Sequence, residues 1–128
     1  YCNSVRFSAM STMKHIIFIQ ESGFKNIVKG TKTVEGRCLT LRFRKISSGD
    51  TLEFICGEET ILCHCIKAIV YDGFHEMISD IGINSCLPTL DTTDIDDAVD
   101  YYHSFKNYKK KADKNGVVAI HIKKLDFD

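Results

Sequence analysis

The chain has 128 residues, of which 44% are hydrophobic and 27% charged, and its 17 basic residues balance 17 acidic ones. This length and composition predict one folded domain and exclude a wholly disordered or collagen-like chain. A formal net charge of +0 supplies no global attraction to nucleic acid or an anionic membrane, so such binding requires a local patch.

The beginning of the chain and its short apolar runs bear on localisation. No run approaches the roughly 20 residues of a membrane helix, and residues 1–10 resemble neither a secretory signal nor a transit peptide. We therefore expect a cytoplasmic or nuclear protein, not secreted, with no membrane partner and a monomer as the default. Residues 1–12 are expected to be an N-terminal extension or expression remnant, with Met10 or Met13 as the natural start, and residues 13–128 a single domain.

The six cysteines are expected to be reduced thiols, mostly buried, because the chain shows no export signal. Cys63-His64-Cys65 resembles a metal-binding pattern. On a strand, however, the two cysteines share one face and His64 lies on the other, and no Cys-x-x-Cys accompanies them. We predict no metal and no cofactor.

The first half of the chain predicts three extended segments and one helix. The run of β-branched and aromatic residues in 14–20 indicates a strand covered on both faces. Apolar residues at helical spacing predict a helix over 21–30, which ends at Gly30. An extended segment over 31–40 follows, and a turn at 47–50 leads into a strand over 51–56.

The second half predicts two further strands and two helices. A strand over 60–71 forms a hairpin with the preceding one, and Asp72 is expected to cap a helix that ends near Gly82. Residues 83–90 are expected to form a loop, and Thr93 with Asp96 resembles a capping arrangement for a helix with Tyr102 in the core. The basic stretch 106–115, including Lys109-Lys110-Lys111, is expected to be a solvated surface loop before a last strand over 117–122. His64 and His121 are expected to be satisfied histidines within strands.

These elements predict an α+β fold, with a mixed sheet or small barrel, because strands at the start, middle and end do not alternate strictly with helices. The repeated βαβ pattern is missing. So are a P-loop, Gly-x-Gly-x-x-Gly, Gly-x-Ser-x-Gly and His-Glu-x-x-His, which removes the corresponding nucleotide-binding, esterase and zinc-protease interpretations.

Residues 30–37 concentrate charges of both signs directly after a predicted helix. On an extended segment Thr33, Glu35 and Arg37 share one face. Arg37 has a planar fork suited to phosphate or carboxylate, and Lys32 supplies a movable ammonium, while Glu35 can orient either group or transfer protons. The segment is therefore either a polar ligand site or a solvated strand with a weak surface ion pair.

The octet Gly30-Thr31-Lys32-Thr33-Val34-Glu35-Gly36-Arg37 resembles the G-x-K-x-x-E-x-R signature of the ASCH family, named for homology to activating signal cointegrator 1. The resemblance extends in order over roughly residues 13–123. It includes Ser48-Gly49-Asp50, Val70-Tyr71 with Phe74 and Met77, Leu87-Pro88, Tyr101-Tyr102 and Gly116-Val117-Val118-Ala119-Ile120.

This resemblance implies a PUA-like fold, a small mixed β-barrel flanked by helices, with the signature lining a cleft. It also implies that the partner is RNA or single-stranded nucleic acid, or else a modified nucleoside. In that interpretation Phe43 or Tyr71 stacks on a base. The expected ligand-binding residues are Lys32, Thr33, Glu35, Arg37, Arg42, Arg44, Lys45 and Tyr71.

Two other functions stay open. One branch of the family resembles this pattern and removes the acetyl group of N4-acetylcytidine with a lysine, a threonine three residues later and a distant glutamate. Lys32 matches that lysine, whereas Glu35 occupies the threonine position. Another branch cleaves RNA, so an enzyme would use Lys32 and Glu35 as catalytic residues. The other alternative is a protein-interaction module with an unused cleft.

Overall fold

The computed structural model describes residues 12–125, which form one five-stranded sheet and six helical segments. The predicted mixture of strands and helices is confirmed. Residues 1–11 lie outside the described part, so the N-terminal extension stays a prediction. In chain order the elements are β1 (Lys14–Phe18), α1 (Glu21–Lys29), β2 (Val34–Cys38), a 3₁₀ helix (Phe43–Lys45), β3 (Thr51–Cys56), β4 (Glu59–Tyr71), α2 (Phe74–Ile81), α3 (Ile83–Cys86), α4 (Ile95–His103), α5 (Tyr108–Asn115) and β5 (Val117–Lys124).

The sheet has the strand order β1-β3-β4-β5-β2 and curls into a half-barrel. β1 pairs with β3 in parallel, and every other pairing is antiparallel. The long strand β4 pairs first with β3 and then with β5, and the β4–β5 pairing has a bulge between Cys65 and Lys67 that permits a bend. The two edge strands approach each other, since Arg37 Nη2 on β2 donates to the carbonyl of Phe18 on β1 at 2.8 Å.

Two apolar clusters pack on the two faces of this sheet. One contains Phe24 and Ile27 of α1 against the inward side chains of β3, β4 and β5. The other contains side chains of α2, α4 and α5 together with Val34 and Cys38 of β2. β5 serves both clusters, because Val118 and Ile120 belong to the first and Val117 and Ala119 to the second.

The outer face of β1 corrects one expectation. The apolar run predicts a strand covered on both faces, but Ile16 is 44% exposed and Phe18 is 65% exposed. Ile17 between them is buried in the core. The prediction was wrong because β1 is an edge strand, and no helix described in the structure packs on its outer face.

Two expected loops contain helices. Residues 83–86 of the predicted loop form α3, and most of the basic stretch 106–115 forms α5. α5 buries Ala112 and packs Tyr108 partly against the second cluster, while its lysines remain exposed. So narrow an apolar stripe in a polar sequence leaves little helical periodicity to detect.

Both predicted helix caps shift by one residue. The N-cap of α2 is Gly73 rather than Asp72, and no side chain caps it. Asp94, rather than Thr93, caps α4 and accepts from the backbone N–H of Asp96 at 2.9 Å. Both helices still start where the sequence places them, because only the identity of the capping residue changes.

The structure agrees with the expectation for the cysteines at positions 63 and 65 but not with the expectation for His121. Cys63 and Cys65 are free and fully buried, and burial raises the pKa of each thiol to about 11. By contrast, His121 Nε2 is buried with no hydrogen-bond partner among residues 12–125, so the expectation of a satisfied histidine was wrong there. Burial lowers the His121 pKa, and nearby Lys67 lowers it further.

Within residues 12–125, no helix has the length and apolar character to cross a membrane.

Candidate functional site

A cavity of about 530 Å³ lies where α1, the free edge of β2, the segment after α3 and the connection from α4 to α5 meet. This volume falls within the range of roughly 300–1,000 Å³ that is typical of small-molecule sites. Its lining residues are Phe18, Ile19, Gln20, Ser22, Gly23, Asn26, Lys32, Glu35, Gly36, Arg37, Cys86, Leu87, Pro88, Thr89, Leu90, Tyr101, Tyr102, Phe105 and Tyr108.

The end of α1 delivers Lys32 to this cavity. Gly30 follows the last helical residue with φ 83°, a left-handed conformation that glycine adopts without steric cost. The Asn26 carbonyl then accepts from the backbone N–H groups of Thr31 and Lys32, at 3.0 and 3.1 Å. This turn reverses the chain, so the Lys32 side chain enters the protein and is only 6% exposed.

Lys32, Glu35 and Arg37 form a buried ionic triad. Lys32 Nζ lies 3.1 Å from Glu35 Oε1, and Arg37 Nε donates to Glu35 Oε2 at 2.6 Å. Lys32 Nζ also donates to the Cys86 carbonyl at 2.5 Å. Arg37 Nη2 donates to the Phe18 carbonyl on the opposite edge strand, so the triad also joins the two edges of the sheet.

The triad carries one positive charge in excess of its negative charge. Burial alone would raise the pKa of Glu35, but Lys32 and Arg37 outweigh burial and hold that pKa below its ordinary value of 4.5. Burial likewise opposes the charge of Arg37, and the Glu35 carboxylate more than compensates, so the Arg37 pKa is raised. At neutral pH, therefore, Glu35 can only accept hydrogen bonds, and Arg37 can only donate them.

Gly36 lets the second cluster approach β2 closely. A Cβ at this position would lie 2.8 Å from Met77 Cε and 3.1 Å from the Tyr102 hydroxyl, so a larger residue would displace both side chains. The Tyr102 hydroxyl is buried with no hydrogen-bond partner in the described part of the chain. Burial, with the nearby Cys86 and Glu35, holds the Tyr102 pKa well above 10.0.

Aromatic side chains form one wall of the cavity. Tyr101 and Phe105 have ring centroids 5.4 Å apart, and Phe105 and Tyr108 have centroids 5.3 Å apart. All three rings are half-buried, which leaves part of each ring for a ligand. The Tyr108 phenol is also close enough to the Arg37 guanidinium for Arg37 to offset part of the rise that burial causes in the Tyr108 pKa.

The structure brings together only part of the predicted site. Lys32, Glu35 and Arg37 converge in the cavity, whereas Thr33 is exposed and does not line it. Tyr71 also lies outside the cavity, where its hydroxyl donates to Asp80 Oδ2 at 2.5 Å. Three basic residues, Arg42, Arg44 and Lys45, are exposed on or beside the 3₁₀ helix and do not line the cavity.

Phe43 connects that basic segment to the triad. The Arg37 and Arg42 guanidinium carbons lie 5.4 and 5.8 Å from the centroid of the Phe43 ring, within cation–π range. Phe43 does not line the cavity, although it is one of the two aromatics expected to stack on a base.

The cavity also contains aromatics that the sequence interpretation did not assign to it. Tyr101, Phe105 and Tyr108 are spaced four and three residues apart, which would place them on one helical stripe and was the available signal. In the structure α4 ends at His103, and Asn107 precedes α5 with φ 65°. The three rings nevertheless stay together because the connection between the two helices is short.

No cluster of three or more His, Cys, Asp or Glu side chains among residues 12–125 is arranged to hold a metal ion. The triad has a single carboxylate between two cations, which is unfavourable for binding a further cation.

The fold and site define an α+β protein with a PUA-like half-barrel and a charged cavity beside it. The family model described as "ASCH domain" matches residues 17–126. The chain therefore belongs to the ASCH domain family, as the octet and the ordered segments around it predict.

Several solved structures are similar to this chain. Hypothetical protein PH0355 is 32% identical with a TM-score of 0.79, and the match covers 88% of this chain and 100% of that protein. Protein PF0455 from Pyrococcus furiosus is 30% identical with a TM-score of 0.72, over 90% of this chain and 100% of that one. A mutant of ZmASCH from Zymomonas mobilis is 13% identical with a TM-score of 0.56, over 84% and 66% of the two chains, and shares the fold. No curated protein matches the chain.

Proposed function

We propose that this protein binds RNA or another single-stranded nucleic acid by taking a nucleotide into the cavity beside β2. The observation that carries the proposal is the buried triad of Lys32, Glu35 and Arg37, which is net positive and lines a cavity with an aromatic wall. Proteins bind single strands by combining positive charge for the backbone with aromatic rings for the bases. The ASCH family is generally RNA-binding-like, which agrees with this assignment.

The charge distribution explains how a neutral protein would bind a polyanion. The formal net charge is +0, so attraction depends on local excess charge. The triad supplies one such excess inside the cavity, and Arg42, Arg44 and Lys45 add exposed positive charge beyond Phe43. In this proposal Arg42, Arg44 and Lys45 contact the nucleic-acid strand outside the cavity, since none of them lines it.

The triad favours binding over catalysis. Lys32 Nζ donates to the Cys86 carbonyl and is paired with Glu35, so two acceptors of the protein itself already hold this group in place. Glu35 has a lowered pKa and is therefore a weak base. The deacetylase branch of the family uses a hydroxyl nucleophile at the position that Glu35 occupies here.

The test measures binding of labelled single-stranded RNA and DNA to the full chain by fluorescence anisotropy. We expect affinity to fall as salt rises from about 50 mM to about 200 mM, because bound phosphates release counterions. Intact RNA and unchanged N4-acetylcytidine after prolonged incubation support a binding protein. Turnover of either would replace this proposal with the enzyme alternative.

A pair of variants on α1 locates the binding site without changing any charge. Ser22 is exposed and lines the cavity, whereas Val28 is exposed on the same helix and does not line it. We expect Ser22→Trp to block the cavity and weaken binding at least about tenfold, while Val28→Trp binds like the parent. Equal binding by both variants would place the nucleic acid elsewhere on the protein.

A further inference from the structure

The hydrogen-bonding capacity that remains in the cavity is mixed. Arg37 has five N–H donors, of which Nε donates to Glu35 and Nη2 to the Phe18 carbonyl, with the Tyr108 hydroxyl as a further partner of the guanidinium. Each carboxylate oxygen of Glu35 contacts one cation of the triad and can accept a further hydrogen bond. The site therefore presents both a free donor and free acceptors to a ligand.

Gly36 adds a main-chain donor and a main-chain acceptor. Leu39 N–H bonds to the Gly116 carbonyl and Ile122 N–H to the Thr33 carbonyl, which sets the hydrogen-bonding phase of the β2–β5 pair. Because this phase alternates along an antiparallel pair, the backbone groups of Gly36 point away from β5 toward the free edge of β2. Gly36 lines the cavity, and its N–H and carbonyl have no partner among the described residues.

This mixture fits a nucleobase better than a phosphate. A phosphate offers only acceptor oxygens, so Glu35 and the Gly36 carbonyl would repel it. The edge of a base instead presents donors and acceptors side by side. Lys32 and Glu35 are the most buried members of the triad, whereas the Arg37 side chain is 17% exposed. The buried end of the cavity thus contains one cation and one carboxylate, whereas the cationic Arg37 lies nearer to solvent.

Resting on the proposed function, we propose that one base enters the cavity with its edge toward Glu35 and Gly36, while its phosphate stays outside near Arg37 and Arg42. The base stacks on the wall formed by Tyr101, Phe105 and Tyr108. The strand continues past Phe43, which Arg37 and Arg42 flank.

Glu35 makes this pocket selective for a base with an exocyclic amine. The amine of cytosine, adenine or guanine donates to the carboxylate, as carboxylates accept from cytosine N4 in other complexes. Uracil can donate only its ring N–H to the Glu35 carboxylate, and the two carbonyl oxygens beside that N–H are repelled by the carboxylate, which weakens the contact. The expected preference is therefore for amine-bearing bases over uracil.

The test compares oligocytidine, oligoadenosine and oligouridine of equal length on the unmodified chain. We expect oligocytidine and oligoadenosine to bind about 10- to 100-fold more tightly than oligouridine, the effect of a hydrogen bond to a charged group. Oligocytidine built from N4,N4-dimethylcytidine keeps the ring but lacks the amine hydrogens, so its affinity should fall to that of oligouridine.

Two substitutions separate base recognition from phosphate contact. Glu35→Gln should relax the preference, because a carboxamide can also donate to the carbonyl of uracil. Arg42→Gln should weaken all three oligonucleotides by the same factor of about 2–5, as expected for a phosphate contact. Lys67→Gln changes the same charge at an exposed position that does not line the cavity, and it should bind like the parent. The dimethylcytidine comparison decides the question if Glu35→Gln does not fold.

The outcomes distinguish this inference from the proposed function. Equal affinity for all three oligonucleotides would overturn amine recognition and leave nucleic-acid binding in place. If Arg42→Gln lost the preference for amine-bearing bases and Glu35→Gln kept it, the base edge would face Arg42 rather than Glu35, and the proposed orientation would be wrong. Failure of every oligonucleotide to bind would overturn both proposals.

Discussion

Two groups of buried polar and charged side chains in this protein differ in how fully their hydrogen-bonding capacity is used. Asp50 accepts from the backbone N–H of Met13 and Ser47, each at 3.0 Å, and His15 Nε2 lies 2.7 Å from its Oδ2 atom. Asp50 does not line the cavity. The triad of Lys32, Glu35 and Arg37 is buried to a similar degree, yet it faces the cavity with free donors and acceptors.

Burial and pairing alone do not identify a functional site in this protein. Asp50 holds the segment before β1 against the turn before β3, so its interactions serve the fold. Each member of the triad has at least two partners within the protein and retains hydrogen-bonding capacity for a ligand. Unused polar capacity beside a cavity is therefore the feature that separates the two groups.

The largest expected effect tests the structural role of Asp50. Asp50→Ala leaves two backbone N–H groups and His15 without their acceptor, so it should lower the free energy of unfolding by about 3 kcal/mol or more. Urea denaturation measures this loss. The affinity of the folded fraction for oligonucleotides should not change. A loss of affinity of about tenfold, as expected below for Lys32→Met, would show that Asp50 also contributes to binding.

Lys32→Met should have the opposite effects, with a small loss of stability and a large loss of binding. Glu35 keeps Arg37 as a partner, so we expect a loss of only about 1 kcal/mol in stability. Removal of the excess positive charge should weaken oligonucleotide binding about tenfold, measured by anisotropy. The matched control is Lys25→Met, because Lys25 is exposed on α1, does not line the cavity and pairs with the exposed Glu21. Similar affinities for the two variants would contradict a ligand-binding role for the triad.

Acid should destabilise the folded protein through both groups, because each contains a buried carboxylate. The pKa values of Glu35 and Asp50 are lowered from 4.5 and 3.8, so the unfolded chain binds these protons more readily than the folded one. The stabilisation is present above the ordinary pKa values and is lost as pH falls through and below them. Urea midpoints between about pH 6 and about pH 3 should decline, and less steeply in Asp50→Asn. A parallel decline in that variant would show that Asp50 contributes nothing to the pH dependence.

The smallest expected effect concerns Tyr102. Its hydroxyl has no partner among the described residues, so Tyr102→Phe should change the free energy of unfolding by less than about 0.5 kcal/mol, or increase it. Tyr71→Phe is the control, because that hydroxyl donates to Asp80 and its removal should cost more. A larger loss in Tyr102→Phe than in Tyr71→Phe would show that the Tyr102 hydroxyl is satisfied.

Local patterns predicted much of the fold and the centre of the site. Phe74, Met77 and Ile78 at helical spacing mark the buried stripe of α2, and Gly30 marks the end of α1. The octet predicts family membership, and its Lys32, Glu35 and Arg37 lie together in the cavity. These features depend on residues close in sequence, where side-chain identity carries the information.

Other features depended on contacts between distant segments. The exposed face of β1 follows from its place at the edge of the sheet, and α5 is held by packing of Ala112 and Tyr108 rather than by a strong apolar pattern. Tyr71 and Thr33 were expected at the site because of their positions in the chain. Neither lines the cavity, because the Thr33 side chain is exposed and the Tyr71 hydroxyl donates to Asp80.

The sequence by itself determined the five strands, the helices α1, α2 and α4, the family and the three charged side chains of the triad. Only the tertiary structure decided what completes the site: the Cys86 and Phe18 carbonyls, the free backbone edge at Gly36 and the aromatic wall. The physical reason is that every residue has a carbonyl and nearly every residue an N–H, so these partners leave no mark in the amino-acid sequence. They become specific only when folding brings distant segments within hydrogen-bonding distance.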